Sequence, residues 1–308
     1  MDIICMGLLV CDIIVKPVSR NLFDKDSMPV ERVIVLPGGD ACNVACNAAA
    51  IGMDTAIVSA VGKDTNGILV RQYLDSHGVD TSCIRESERF GTATSIVMVE
   101  PNGERHFLSN TEVFQDLYPD QLTREILEGA KVLSLNGYYR LPNLDDGGVI
   151  PAFKLAREMG LLTCVDTVSN RKGSWLSRIE QTLYHTDLFL PSYDEAVEIT
   201  GETDVREMRK MLGRFGMKVF AVKMGSRGAY VTDFKEEYFI KPFPVERIES
   251  TVGAGDSFVA GFLSGQVLGM DMYESALLAS AAAARTLRVP GATGGMPSAE
   301  VLLRDIGK

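Results

Sequence analysis

The chain has 308 residues, of which 46% are hydrophobic and 23% charged, enough to bury the core of one large α/β domain. Its formal net charge of −10 argues against nucleic acid or an anionic membrane as the main partner. No apolar run has the length of a membrane span and Met1-Asp2-Ile3-Ile4 lacks a basic leader, which predicts a cytoplasmic protein.

Ile3 to Val10 is a continuous apolar run, as expected of a buried parallel strand. Asp12 follows it. Ligands of open α/β sheets gather at the carboxyl ends of strands, so Asp12 is a site candidate, although composition alone favours a solvated turn acid. Ile13, Val15, Val33 and Val35 alternate with polar residues and predict two short strands. A second pair is expected at Thr94–Val99 and Arg105–Leu108, joined by a turn carrying Asn102-Gly103. In Pro37-Gly38-Gly39-Asp40-Ala41-Cys42-Asn43 the glycines permit close approach of backbone to a ligand, and Asn43 opens a small-residue helix that stops at Gly52. A tightly packed helix after a glycine turn explains the same residues.

Val132 to Asn136 is expected as a strand with Asn136 at its end, Pro151 to Met159 as a helix, and Leu162 to Asp166 as the next strand. That rhythm predicts a doubly wound parallel sheet. Asp187 to Leu190 reads as a strand running into a helix start that carries Glu195, an acid the helix dipole favours. Val219 to Val231 reads as strand, Gly225-x-x-Gly228 turn and strand return, ending its first strand on Lys223.

Ser250-Thr251-Val252-Gly253-Ala254-Gly255-Asp256 then leads into an apolar helix. Small residues let successive N–H groups turn toward one point, and the helix start adds the positive end of its dipole, so the stretch reads as an anion nest. A carboxylate beside such a nest makes sense as the acceptor of a proton from a hydroxyl attacking a bound phosphoryl group. A glycine turn with an acidic cap is the plain alternative. Two Ala-rich helices follow, the second carrying Ser280. The six cysteines form no C-x-x-C pair, and the sequence offers no His-based metal or Ser-His-Asp arrangement.

Thr251 to Phe258 resembles the C-terminal signature of the ribokinase-like (pfkB) carbohydrate kinases, and Gly38-Gly39-x-x-x-Asn43-x-Ala45 with Ala60 to Gly67 resembles their N-terminal one. The resemblance implies a three-layer α/β/α ribokinase-like domain over residues 1–308, with a small β-sheet lid inserted at about 12–36 and 92–110. It implies an ATP-dependent kinase acting on a primary hydroxyl of a small sugar or related polyol. Asp256 is then the catalytic base, and Gly253, Ala254 and Gly255 form the anion hole. Asp12, Gly39, Asp40, Asn43 and Asn136 contact the acceptor, and an acid at position 40 suggests an acceptor that is not a sugar phosphate. Lys223, Gly225, Gly228 and Ser280 serve ATP, and Glu195 organises Mg²⁺ through water. Asp166 is implied near the phosphates together with Arg171. Ser192 stands where the family usually has Asn. Ser250 replaces an acid that helps relatives bind potassium, which leaves a monovalent cation in doubt. The resemblance also implies a homodimer through the lid. Two other readings are a nucleoside kinase, with Phe107, Phe114 and Tyr138 as a base slot, and a non-catalytic sugar or nucleotide sensor.

Overall fold

The computed structural model describes residues 1–170 and 172–308. Arg171, singled out in the sequence, lies outside the described residues.

Thirteen strands form two sheets among these residues. The large sheet holds β1 (Ile3–Gly7), β4 (Thr55–Gly62), β5 (Ile84–Ser87), β8 (Val132–Tyr138), β9 (Leu162–Thr167), β10 (Leu188–Phe189), β11 (Val219–Lys223), β12 (Ala229–Thr232) and β13 (Glu237–Ile240). The small sheet holds β2 (Val10–Lys16), β3 (Arg32–Gly38), β6 (Thr94–Val99) and β7 (Arg105–Asn110).

The large sheet runs β13-β12-β11-β10-β9-β8-β1-β4-β5, parallel from β5 to β11 and closed by two antiparallel strands. Alternation along β1 explains the layering. Ile3 and Cys5 join a core with the Asp40–Ile51, Ala254–Val267 and Met272–Thr286 helices, while Ile4 and Met6 join the opposite core with the Ile150–Glu158 and Trp175–Leu183 helices. Helices therefore cover both faces. After β1 the large sheet grows first toward β4 and then back across to β8, so the chain changes direction at β1, where open sheets leave a crevice beyond their carboxyl ends.

The small sheet, in order β3-β2-β6-β7, rises from that same end, because β2 starts three residues after β1 stops. Its register puts Val35, Ile13, Ile96 and Leu108 in one row on one face. Asp12 and Ser95 share the other. At the far hairpin His106, Glu100 and Glu104 converge, and Arg20 bridges both glutamates at 2.9 and 2.8 Å. Histidine and acids do cluster there, then, but with a guanidinium already among them.

Candidate active site

The Gly39 backbone starts the site. Its φ is +91°, and a Cβ there would lie 2.6 Å from the Leu8 carbonyl oxygen. Glycine is required by this contact, which lets Leu8 O accept from Ala41 N at 3.2 Å and seats the helix start against the end of β1. The helix begins at Asp40 rather than at Asn43, so both side chains leave its first turn on the crevice side. Asn43 Nδ2 donates to Asp256 Oδ2 at 2.7 Å, joining residues 213 positions apart.

Asp256 sits in the first turn of the Ala254–Val267 helix, capped by Gly253 at φ +76°. A Cβ on Gly253 would approach Ala292 Cβ to 2.3 Å. The first amides of a helix have no intrahelical partner, and here they open beside the Lys223 chain, whose Nζ lies 3.7 Å from where a Gly255 Cβ would be.

Lys223 ends β11 and donates to Asp166 Oδ1 at 2.6 Å, from the end of β9. Both are nearly enclosed, at 13% and 3% side-chain exposure. Burial opposes the Lys223 charge, but Asp166, Glu195 and Asp256 outweigh it and hold the ammonium above its ordinary range. Burial pushes Asp166 up to about 7 against the pull of Lys223. We take the short contact as an ion pair. Glu195 caps its own helix with Ser192, accepting from Ser192 N at 2.9 Å, and Thr167 Oγ1 donates to its carboxylate at 2.9 Å. The serine that replaces Asn at position 192 therefore has a defined capping role.

Asp40 lies within reach of the Asp256 charge. Its Oδ2 is buried with no partner, as are Asn43 Oδ1 and both polar atoms of the Asn136 side chain. Burial first, and then the Asp256 and Asp166 charges, push the Asp40 carboxyl well above the usual carboxylate range. Burial also raises Asp256, while the Asn43 amide and Lys223 pull it down. Asp12 projects past Gly38, and burial pushes it up to about 6. Orphaned buried polar groups cost ~1–3 kcal/mol each, so a cluster of them between two sheets marks a place for a polar ligand.

Beyond Lys223 a cleft of about 490 Å³ runs along Gly225, Gly228 and Ser280 and is walled by Phe243, Ile248 and Leu287. The apolar walls were not among the residues that sequence reasoning singled out. Phe243 and Ile248 come from an irregular stretch without periodicity and Leu287 from the end of the Met272–Thr286 helix, and their meaning depends on what faces them. Thr167, at the end of β9, was missed because its role depends on Glu195, 28 positions away. Phe114 and Tyr138 are fully enclosed, whereas Phe107 is 57% exposed on β7, so the three aromatics form no common slot.

Comparison with known proteins fixes the family. Residues 1–299 match the model of the pfkB family carbohydrate kinases. The chain belongs to this family. This pfkB kinase is 27% identical to the 5-dehydro-2-deoxygluconokinase of Clostridium beijerinckii, with 98% of this chain and 91% of that one covered. The ribokinase of Arabidopsis thaliana, solved with ribose and ATP, has the same fold, at a TM-score of 0.83 and 24% identity over 100% of this chain and 99% of that one. An E. coli structure solved with ATP and Mg²⁺ matches with a TM-score of 0.83 at 21% identity, covering 99% of this chain and 98% of that one. The expected ribokinase-like fold and carbohydrate-kinase class are thus borne out.

Proposed function

We propose that this pfkB kinase transfers the γ-phosphoryl group of ATP to a primary hydroxyl of a small, uncharged sugar or related polyol, with Asp256 as base. The observation that carries the reading is the Asp256 carboxylate, held by Asn43 at 2.7 Å beside the amides of Gly253 to Gly255. Asp256 takes the proton of the acceptor hydroxyl as its oxygen bonds to the γ-phosphorus. The bond to the β,γ-bridging oxygen breaks, ADP leaves, and the proton passes from Asp256 to solvent. The helix-start amides and Lys223 face the phosphoryl charge, and the cleft beside Gly225, Gly228 and Ser280 takes the nucleotide.

Glu195 and Asp166 are hard oxygen donors on the phosphate side of Lys223, a donor set that suits Mg²⁺ held mostly by phosphates and water. Bound there, the ion supplies charge neutralisation between the phosphates. Ser250 accepts from Val252 N at 3.1 Å and brings no charge to its loop, so we expect little potassium dependence.

Asp12, Asp40, Gly39, Asn43 and Asn136 receive the acceptor. Asp40 and Asp12 bring acids, and no lysine or arginine pairs with either among the described residues, which disfavours phosphorylated or carboxylate acceptors. The whole chain works as one kinase domain with the small sheet as its lid. A second copy of the chain covers the apolar lid face, where Val33, Val35, Ile96 and Leu108 are exposed. The acidic surface has no role in binding nucleic acid or membrane, and the six unpaired cysteines suit the reducing cytoplasm. The test is ADP release with Mg-ATP across uncharged sugars, sugar phosphates, sugar acids and nucleosides. Release with an uncharged sugar supports the reading, and release only with anionic acceptors contradicts it.

A further inference from the structure

We infer that Asn47 is a positioning residue for phosphoryl transfer, holding the anion-binding end of the Ala254–Val267 helix from across the helix interface; this rests on the kinase reading above. Asn47 stands one turn beyond Asn43 on the Asp40–Ile51 helix, so the two amides face the same neighbour. Its side chain is fully buried. Nδ2 donates to Ser257 Oγ at 3.0 Å and to the Ala292 carbonyl at 3.0 Å.

Each partner leads to the site. Ser257 follows the base directly, and its hydroxyl shares a 2.6 Å hydrogen bond with Thr286 Oγ1. Ala292 is the residue against which Gly253 packs so closely that no Cβ fits between them. One amide therefore fixes the residue after the base and the turn that seats the start of the anion hole. A second tether reaches the same turn from the Thr65–Ser76 helix, where the Tyr73 hydroxyl bonds to Thr293 Oγ1.

Packing alone does not account for an asparagine there. The other enclosed side chains of that helix, apart from Asn43, are Ala, Cys, Val and Ile. A buried amide is costly unless its protons are bonded, and an apolar residue would fill the seam without that demand. The polar choice secures direction: Nδ2 bonds both the helix that carries the base and the turn that seats Gly253, although Asn47 Oδ1 is buried with no partner. A displacement of about 1 Å at a reacting centre is enough to lose about 10²-fold in rate.

The test compares wild type, Asn47→Ala, Tyr73→Phe and Asp256→Ala as full chains. The acceptor is the uncharged pentose or hexose giving the most ADP release in a panel, or slow ATP hydrolysis where none does. Asn47→Ala is expected to fold and to lose about 10–100-fold in kcat. Its KM for ATP should stay within about twofold, because Asn47 does not touch the Phe243–Ile248–Ser280 cleft. Tyr73→Phe should lose about threefold in kcat. A folded Asn47→Ala with wild-type kcat, or one whose kcat falls only with its folded fraction, overturns the inference. Should Asn47→Ala not fold, an unchanged kcat in Tyr73→Phe overturns it. Asp256→Ala reads the base separately: active Asp256→Ala beside impaired Asn47→Ala refutes the base and leaves the brace standing, and the reverse pattern refutes the brace alone.

Discussion

Asp40 and Asp256 are two acids in one crevice, and their surroundings divide the work between them. Asp256 has a donor on its carboxylate, whereas Asp40 Oδ2 has none and faces the Asp256 charge, which Lys223 offsets only in part. The Asn43 amide makes Asp256 the better placed of the two to hold negative charge, the condition for the base proposed above. Replacing Asp256 with Asn should lower kcat by about 10²–10⁴-fold while leaving ATP affinity near wild type, measured by steady-state kinetics and calorimetry. Because burial raises Asp256, the acid limb of kcat/KM should lie above an ordinary carboxylate range, with activity lost as pH falls through it. Asn43→Ala removes the donor and should move that limb further up; an unmoved limb would separate Asp256 from the titration. Asp40→Asn should raise the melting temperature by about 2–5 °C. The sign follows from its raised folded-state pKa. The cost of the buried carboxylate is absent below the unfolded pKa and full above the folded one, so the gain should grow with pH. A melting curve that gains most at low pH would contradict this.

At the scale of elements, the site depends on a helix start that tolerates no side chain at Gly253. Gly253→Ala meets both a left-handed φ and the Ala292 contact, and should cost about 1–3 kcal/mol of stability and most of the activity. Denaturant titration and kcat together check it, and a stable, active Gly253→Ala would contradict the seating described here. Local chemistry of this kind was readable in the sequence, since three small residues before an acid imply backbone groups turned toward one point. The long apolar runs gave β1, β9 and β11 for the same reason. Boundaries were less readable. Asn43 looked like a helix start, but Gly39 and the Leu8 carbonyl begin the helix earlier, and β8 runs past Asn136 to Tyr138. β13, with charged neighbours and four residues, had no pattern to reveal it. The pairs that make the site, Asn43 with Asp256 and Lys223 with Asp166, join residues 213 and 57 positions apart. Such contacts are created by strand order, and no local pattern encodes them.

For the molecule as a whole, the small sheet carries Asp12 and Ser95 on one face and an apolar row on the other. The row Val35, Ile13, Ile96 and Leu108 is too continuous to be scattered surface hydrophobicity. Analytical ultracentrifugation should find a dimer in wild type and a monomer in Leu108→Asp, and a monomeric wild type would remove the second copy as the occupant. The central claim concerns chemistry, and the most direct measurement is acceptor-dependent ADP release by wild type and Asp256→Asn, side by side, with Mg-ATP and the acceptor panel. The account predicts strong release by wild type with at least one uncharged sugar or polyol, little with anionic acceptors, and a loss of about 10²-fold or more in Asp256→Asn. Equal rates in the two proteins, or activity confined to phosphorylated acceptors, would contradict it.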